Sequence, residues 1–330
     1  MKSNMSVNPS YFQFSLFADY GSLRYLFFSL CLLIYMTIIS ANVVIVLAVF
    51  LDKSLHQPMY IFICCLSVNS LYGSAAFFPR FLMDIVSDDH FIPRAACFTQ
   101  VYVVGTYLTH ELTLLVIMAY DRFVAICQPL HYHSKMTAKT VLCLIIISVL
   151  YPVFLGGNVI HQLLSIPFCG NKLHKIFCAY RPLLRLSCED TTKRIILGET
   201  LSMTTVFITM SFILYTYLRI LLVCRRGSSD VRGKALQTCL PHIVSFVNYC
   251  ISCYCDFALT QLRLDQKNTL VIVVLSLEYL IIPPINNPLV YGLSLPQIRG
   301  VIFRRLRCCK VIIAVKPKPK ESQKGKESIK

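Results

Sequence analysis

The stretch MAYDRFVAICQPLHY, Met118 to Tyr132, decides how this chain folds. It closes an apolar run that begins near Phe98 and holds a single acid, Glu111. At its end Asp121 and Arg122 stand side by side, where a helix crossing a bilayer should meet water. A guanidinium at the centre of a membrane costs about 2.5–3.5 kcal/mol, so an arginine near a helix end pairs, snorkels to the interface or marks a function. Taken alone, the Asp-Arg pair reads as an ordinary interfacial anchor. The rest of the chain has to decide.

Over 330 residues the chain is 56% hydrophobic and 15% charged, with a mean hydropathy of +0.63. A soluble domain of this length carries more charge, so the composition is that of a polytopic membrane protein. No short apolar segment leads to a small-residue cleavage site, and the first span is expected to act as its own insertion signal. A net charge of +16 would suit nucleic acid, but its placement argues against that partner. Eleven Lys or Arg against two Glu lie between Arg299 and Lys330, after the last apolar run. The positive-inside rule assigns such a tail to the cytoplasm. KPKPKESQKGKESIK has too little apolar content to fold alone, so 311–330 reads as a disordered basic tail near anionic lipid.

Seven apolar runs are long enough to cross a bilayer, at about 25–50, 59–82, 98–120, 140–164, 196–224, 236–260 and 269–293. Asn4-Met5-Ser6 is a glycosylation sequon and favours an outside N-terminus, which with an inside tail requires an odd number of spans. The connections agree: Lys53, Lys135, Lys139, Arg225, Arg226, Arg232 and Lys234 fall on the tail's side, and the other side mixes signs. The fold class is therefore all-α, a seven-transmembrane helix bundle. Residues 1–24 form its extracellular leader and 25–293 the bundle. In LPQIRGVIFRRLRCCK, apolar and basic residues alternate as in a short amphipathic helix on the inner leaflet, placed at 294–310. Cys308 and Cys309 at its end are candidates for palmitoylation or unmodified thiols.

Of sixteen cysteines, those inside the spans read as reduced core residues. Cys97, Cys169, Cys178 and Cys188 fall on the oxidising face and suggest two disulfides in one of three pairings. Asn42 in span one is a polar side chain expected to bond to a neighbouring helix. Glu111 lies eleven residues before Arg122, about 16 Å deeper, near mid-membrane. His242 sits two turns inside span six, as a protonation or helix-contact site or as a histidine bonded to a backbone carbonyl. PPINNPLVYG, Pro283 to Gly292, puts prolines in span seven, where each frees a carbonyl and permits a kink. Asn287 and Tyr291 there share a face.

Met118–Tyr132 resembles the end of the third transmembrane helix of an odorant receptor. LHQPMYIFICCLSVNSLYGS, from Leu55, and KALQTCLPHI, from Lys234, resemble that family's second and sixth helices at their entries. Asn287-Pro288 with Tyr291 matches the Asn-Pro-x-x-Tyr ending of rhodopsin-like receptors. With the strings in order from Leu55 to Gly292, the chain is identified as a member of the odorant receptor family, G-protein-coupled and rhodopsin-like. The resemblance implies a plasma-membrane receptor with no enzymatic activity and no metal centre. It implies a small-molecule odorant in the outer half of the bundle, a stimulatory olfactory G protein at the inner face and a rise in cyclic AMP.

Carried over by motif, Asp121 holds Arg122 at rest, and Arg122 turns toward the G protein with Tyr217 and Tyr291 assisting. Cys97 pairs with Cys178, leaving Cys169 and Cys188 to close the loop on itself. Glu111 belongs to a sodium- or proton-linked polar cluster in which Ser70 replaces the usual helix-two aspartate. By helical spacing from the matched motifs, the outer halves present Leu108, Thr109, Ser202, Thr205, Cys253, Tyr254, Phe257 and Leu277 to a pocket, each of which also reads as bundle packing. Asp256 and Glu278 either face a cationic group or pair with Arg263 or Lys267. The chain has no tryptophan, and Tyr249-Cys250 stands where many rhodopsin-like receptors carry an aromatic switch. The absence of an internal repeat, a pore ring or a nucleophile cluster disfavours a transporter, a channel or an enzyme. The alternative is a chemoreceptor of the same architecture with a non-olfactory role.

Overall fold

The apolar runs fold into long helices that outrun them, because backbone hydrogen bonding continues past the last apolar residue. A computed structural model describes residues 8–17, 21, 23–225, 229–261 and 269–315, without the side chains of 229–232, 234–238, 256–261, 269–276, 293 and 306–315. The seven helices are α1 (Leu23–Leu51), α2 (Pro58–Val86), α3 (Arg94–Cys127), α4 (Ala138–Leu164), α5 (Thr192–Arg225), α6 (Ser229–Gln261) and α7 (Thr269–Ser294). An eighth, α8 (Pro296–Val315), follows. The first five are long and apolar enough to cross a membrane, and α6 carries the apolar stretch Cys239–Cys255. The result is an all-α membrane bundle.

The bundle sorts its helices by burial. In α2 and α3, 56% of the apolar window is buried against 22% in α1, α4 and α5, so the first pair forms the axis and the others face lipid. Close approach along the axis depends on Gly73. A Cβ there would lie 2.5 Å from Cγ of Tyr107, whose fully buried ring fills the space. Small residues let membrane helices approach in this way.

Among the described residues six prolines lie inside the long helices, and for three of them a neighbouring helix supplies a donor to the freed carbonyl. Pro288 leaves the Pro284 carbonyl without its helical donor, and Asn42 Nδ2 of α1 donates to it at 2.9 Å. Pro283 does the same to Tyr279, whose carbonyl accepts from the Tyr107 hydroxyl of α3 at 3.3 Å. In α4, Pro152 frees the Ser148 carbonyl, and the Thr113 hydroxyl of α3 reaches it at 3.3 Å. Each of these three is thereby tied to another helix.

One end of the bundle carries a feature that the helical pattern does not announce. Tyr11–Phe14 (β1) lies between Phe91–Pro93 (β2), antiparallel, and Lys172–Leu173 (β3), parallel. Its alternation buries Phe12 and Phe14 beneath the sheet, against Phe98, Phe168 and Phe17. Arg94 lies over the Phe98 and Phe168 rings at 5.2 and 5.1 Å. Disulfides Cys97–Cys178 and Cys169–Cys188 close this cap.

At the opposite, basic end, α8 is fastened to α1. Arg304 pairs with Asp52, and Arg305 donates to the Leu51 carbonyl at 2.8 Å. The Ser54 hydroxyl and backbone N–H, with Arg304, hold the Asp52 carboxyl below the usual carboxylate range.

Candidate functional site

At the basic end of α3 the Asp-Arg pair is closed. Arg122 Nε donates to Asp121 Oδ2 at 2.9 Å, and Nη2 reaches the same oxygen. The Asp121 side chain is fully buried and that of Arg122 is 11% exposed. The other carboxylate oxygen accepts from the Tyr132 hydroxyl at 2.8 Å. Burial and the facing Asp121 push the Tyr132 phenol well above its ordinary range, which keeps it a donor. Tyr132 lies at the end of the stretch that sets the fold, but sequence alone gave it no role. Beside the pair, Cys127, Gln128, Pro129, Leu130, His131 and Lys135 line an open cleft of about 500 Å³. Leu130 projects from it, 94% exposed.

Tyr217, Tyr291 and His242 line the bundle interior above this pair. Tyr217 is buried with Leu115, Ala119, Ile220 and Cys239 where α3, α5 and α6 meet. The Tyr291 hydroxyl lies 3.3 Å from His242 Nδ1, joining α7 to α6. Imidazole Nε2 is enclosed with no hydrogen bond among the described residues. Pro288 is buried in the α7 kink beside Asn287.

Glu111 and Asn287 meet in the middle of the bundle, where Asn287 Nδ2 donates to Glu111 Oε1 at 2.9 Å. Glu111 Oε2, Asn287 Oδ1 and Asn42 Oδ1 are enclosed acceptors without donors among the described residues. Ser70 is fully buried and donates to its own helix at Leu66, 3.1 Å away. A cation here would have one carboxylate and neutral oxygens, and no group of three His, Cys, Asp or Glu forms a metal site among the described residues. One carboxylate with two orphaned amide oxygens has the acceptors that either a cation or a proton on Glu111 would use.

Three residues bind the middle of the bundle without having been singled out in the sequence. Asn69 Nδ2 donates to the Tyr107 carbonyl at 3.0 Å, and its Oδ1 faces His110 Nδ1 at 3.1 Å. His110 Nε2 lies 3.4 Å from the Ser148 hydroxyl, so α2, α3 and α4 share one polar link. The signal was present as polar residues inside apolar runs, the same signal that marked Asn42.

The pocket candidates divide. Leu277 is buried in a cluster with Phe77, Val104, Tyr107 and Phe177, and Leu108 packs against it. Cys253 packs on the cluster that holds Tyr249, whose hydroxyl donates to the Leu108 carbonyl at 3.4 Å. These residues converge from α3, α6 and α7. Thr109 and Thr205 are half-buried and bond back to their own helices at Gly105 and Leu201. Ser202 is exposed and Tyr254 is 72% exposed, so neither side chain joins the buried group. The side chains of Phe257, Asp256, Cys308 and Cys309, and all of Asn4, Arg263 and Lys267, lie outside the described residues.

Comparison with known proteins matches the arrangement to one family. The sequence model described as olfactory receptor covers residues 30–309. The chain is 34% identical to human olfactory receptor 6N1 over 287 residues, 85% of this chain and 89% of that one. It is likewise 34% identical to mouse olfactory receptor 5AR1 over 315 residues, 92% and 97% of the two chains. Human olfactory receptor 6K3 gives 34% over 296 residues, 89% and 87%. A multi-pass bundle with this matched core belongs to the olfactory receptor family.

Proposed function

We propose that the chain is an odorant receptor of the plasma membrane. It takes a small odorant in the half of the bundle beneath the disulfide-bonded cap and activates a stimulatory heterotrimeric G protein, raising cyclic AMP. The cap is then extracellular and the basic end cytoplasmic, in keeping with the oxidised cysteines at one end and the excess of Lys and Arg at the other. The observation that carries this reading is the closed Asp121–Arg122–Tyr132 group beside an open cleft. A buried charge pair at a helix end, facing a surface that invites a partner, is a two-state element.

At rest Asp121 neutralises Arg122, and Tyr132 occupies its second oxygen. In the active state Arg122 leaves Asp121 and turns to the G protein. Tyr217 and Tyr291 then support it from α5 and α7, the latter after releasing His242. Leu130 offers an apolar contact beside the cleft. A ligand drives this change only through its higher affinity for the active arrangement. Leu108, Cys253 and Leu277, with half-buried Thr109 and Thr205, suit a small apolar ligand with one polar handle.

The test is cyclic AMP in cells expressing the chain with an olfactory G protein and chaperone, across a mixed odorant panel. Arg122→Ala should abolish the response at unchanged surface level. A full response from that variant would refute the assignment. The same reading has Asn4 glycosylated outside, α8 lying on the lipid of the inner leaflet, and Cys308 and Cys309 lipidated. Loss of a glycosidase-sensitive band shift in Asn4→Gln, and of labelled palmitate in the double Cys→Ser variant, check the two modifications.

A further inference from the structure

One carboxyl in the bundle is used by nothing described above. Glu278 follows Leu277 on α7 and is half-buried at the seam with α6. The Ser252 hydroxyl lies within hydrogen-bond reach of its carboxyl. Oxygen Oε2 is enclosed and accepts no hydrogen bond among the described residues. Asn248, one turn from Ser252 on α6, holds its Nδ2 in the same enclosed, unpartnered condition. Every other ion pair found among the described residues lies at an end of the bundle, and none reaches Glu278.

A carboxylate inside a membrane bundle without a cation is costly, and a residue of this kind marks a ligand or ion path. Its position favours the ligand. Leu277, next to Glu278, lies in one apolar cluster and Cys253, next to Ser252, packs on another, and Leu108 of α3 meets both. The Tyr249 hydroxyl, from the second cluster, closes onto Leu108. Phe77, Phe177 and Tyr279 pack in the same cluster as Leu277, the residue before Glu278, and supply apolar surface there. Such a lining accepts a hydrocarbon body, and the Glu278 carboxylate sets its head group.

We infer that Glu278 is the polar handle of the ligand pocket and that it selects small apolar amines in their protonated form. This rests on the receptor reading above for the pocket's place, but its test does not rest on signalling alone. An alkylammonium supplies the cation and the donor that Oε2 lacks. An alcohol supplies only a donor, and a carboxylate adds a like charge.

The full chain, purified in detergent, would be heated with hexylamine, 1-hexanol and hexanoate, and with cyclohexylamine, cyclohexanol and cyclohexanecarboxylate. The same six compounds would be tried in the cyclic AMP assay. The amines should raise the thermal midpoint and evoke the response, while the alcohols and acids act weakly or not at all. Glu278→Gln keeps the acceptor for Ser252 and removes the charge, so amine potency should fall about 10–100-fold. Should that variant fail to fold, Glu278→Asp decides, because it keeps the charge and should keep the preference for amines at lower affinity. Alcohols or acids acting as well as amines, no shift from any amine, or potency within about threefold in Glu278→Gln would each overturn the proposal. Amine stabilisation without cyclic AMP would leave the site standing and sink the signalling reading. An alcohol response indifferent to Glu278→Gln would do the reverse.

Discussion

The two ends of this bundle are held by different kinds of bond. At the cap, two disulfides and a three-stranded sheet fasten the loops to α3, with rings of Phe12, Phe14, Phe98 and Phe168 filling the space beneath. Toward the basic end no disulfide is found among the described residues; apolar packing of α3, α5 and α6 is supplemented by single polar contacts, Tyr291 to His242 and Tyr132 to Asp121, with Arg122 held on Asp121 within α3. A disulfide closing a long loop contributes about 2–4 kcal/mol, whereas one hydrogen bond contributes about 0.5–1.5 kcal/mol. The cap therefore keeps its shape while the other end has alternatives within reach of ligand binding energy. On the proposed reading that asymmetry suits a receptor, because a pocket must be fixed for its ligand and a switch must not be.

The sharpest way to break this contrast is at the cap. Cys97–Cys178 spans 81 residues and Cys169–Cys188 spans 19, so the first removes more entropy from the unfolded chain, by about 1 kcal/mol. Cys97→Ala should lower the receptor at the cell surface by about tenfold or more. Cys169→Ala should lower it less. Flow cytometry on an N-terminal tag measures both. Equal losses would mean that the loop geometry, and not the length of chain enclosed, decides the stability of the cap.

A second break lies at the axis, with a smaller effect. Gly73→Ala places a Cβ 2.5 Å from Cγ of the Tyr107 ring, and the Tyr107 hydroxyl is the donor for the carbonyl that Pro283 frees. Overpacking of this kind costs about 1–3 kcal/mol, so the purified receptor should melt about 5 °C lower. Gly73→Ala with Tyr107→Leu should recover part of the packing loss but not the hydrogen bond. An unchanged midpoint in the single variant would mean that α2 and α3 shift apart at little cost.

How far the sequence reached follows the same division. The spans and the Asp121-Arg122 pair were legible because hydropathy, charge and spacing carry them in a short window, whereas the pairing of the cap cysteines, 81 residues apart for Cys97–Cys178, came only from the family resemblance. The β1 strand was not, since Tyr11–Phe14 is four residues whose partners lie about 80 and 160 positions away. The kink ties were half legible. Pro283, Pro288 and Pro152 announce freed carbonyls, but only the fold shows that Tyr107, Asn42 and Thr113 answer them. Ser202 and Tyr254 were assigned by helical spacing alone, and spacing fixes a face only when the rotation of the helix is known.

The smallest expected effect is at Glu111, and it tests which side of the contrast the middle of the bundle belongs to. Three enclosed acceptors, Glu111 Oε2, Asn287 Oδ1 and Asn42 Oδ1, have no donor among the described residues, and Ser70 supplies no second carboxylate. A proton on Glu111 turns one acceptor into a donor and removes a buried charge, which a sodium ion could offset only with a fuller set of oxygen ligands. If Glu111 is neutral, Glu111→Gln replaces an O–H donor by an N–H donor of similar reach. Odorant potency should then stay within about threefold, and sodium in place of a bulky organic cation should change neither protein. A wild-type response that depends on sodium and loses that dependence in Glu111→Gln would establish the ion instead. The middle would then be clamped by an ionic bond, and the switch would have to break that bond along with the contacts of Arg122 and Tyr291.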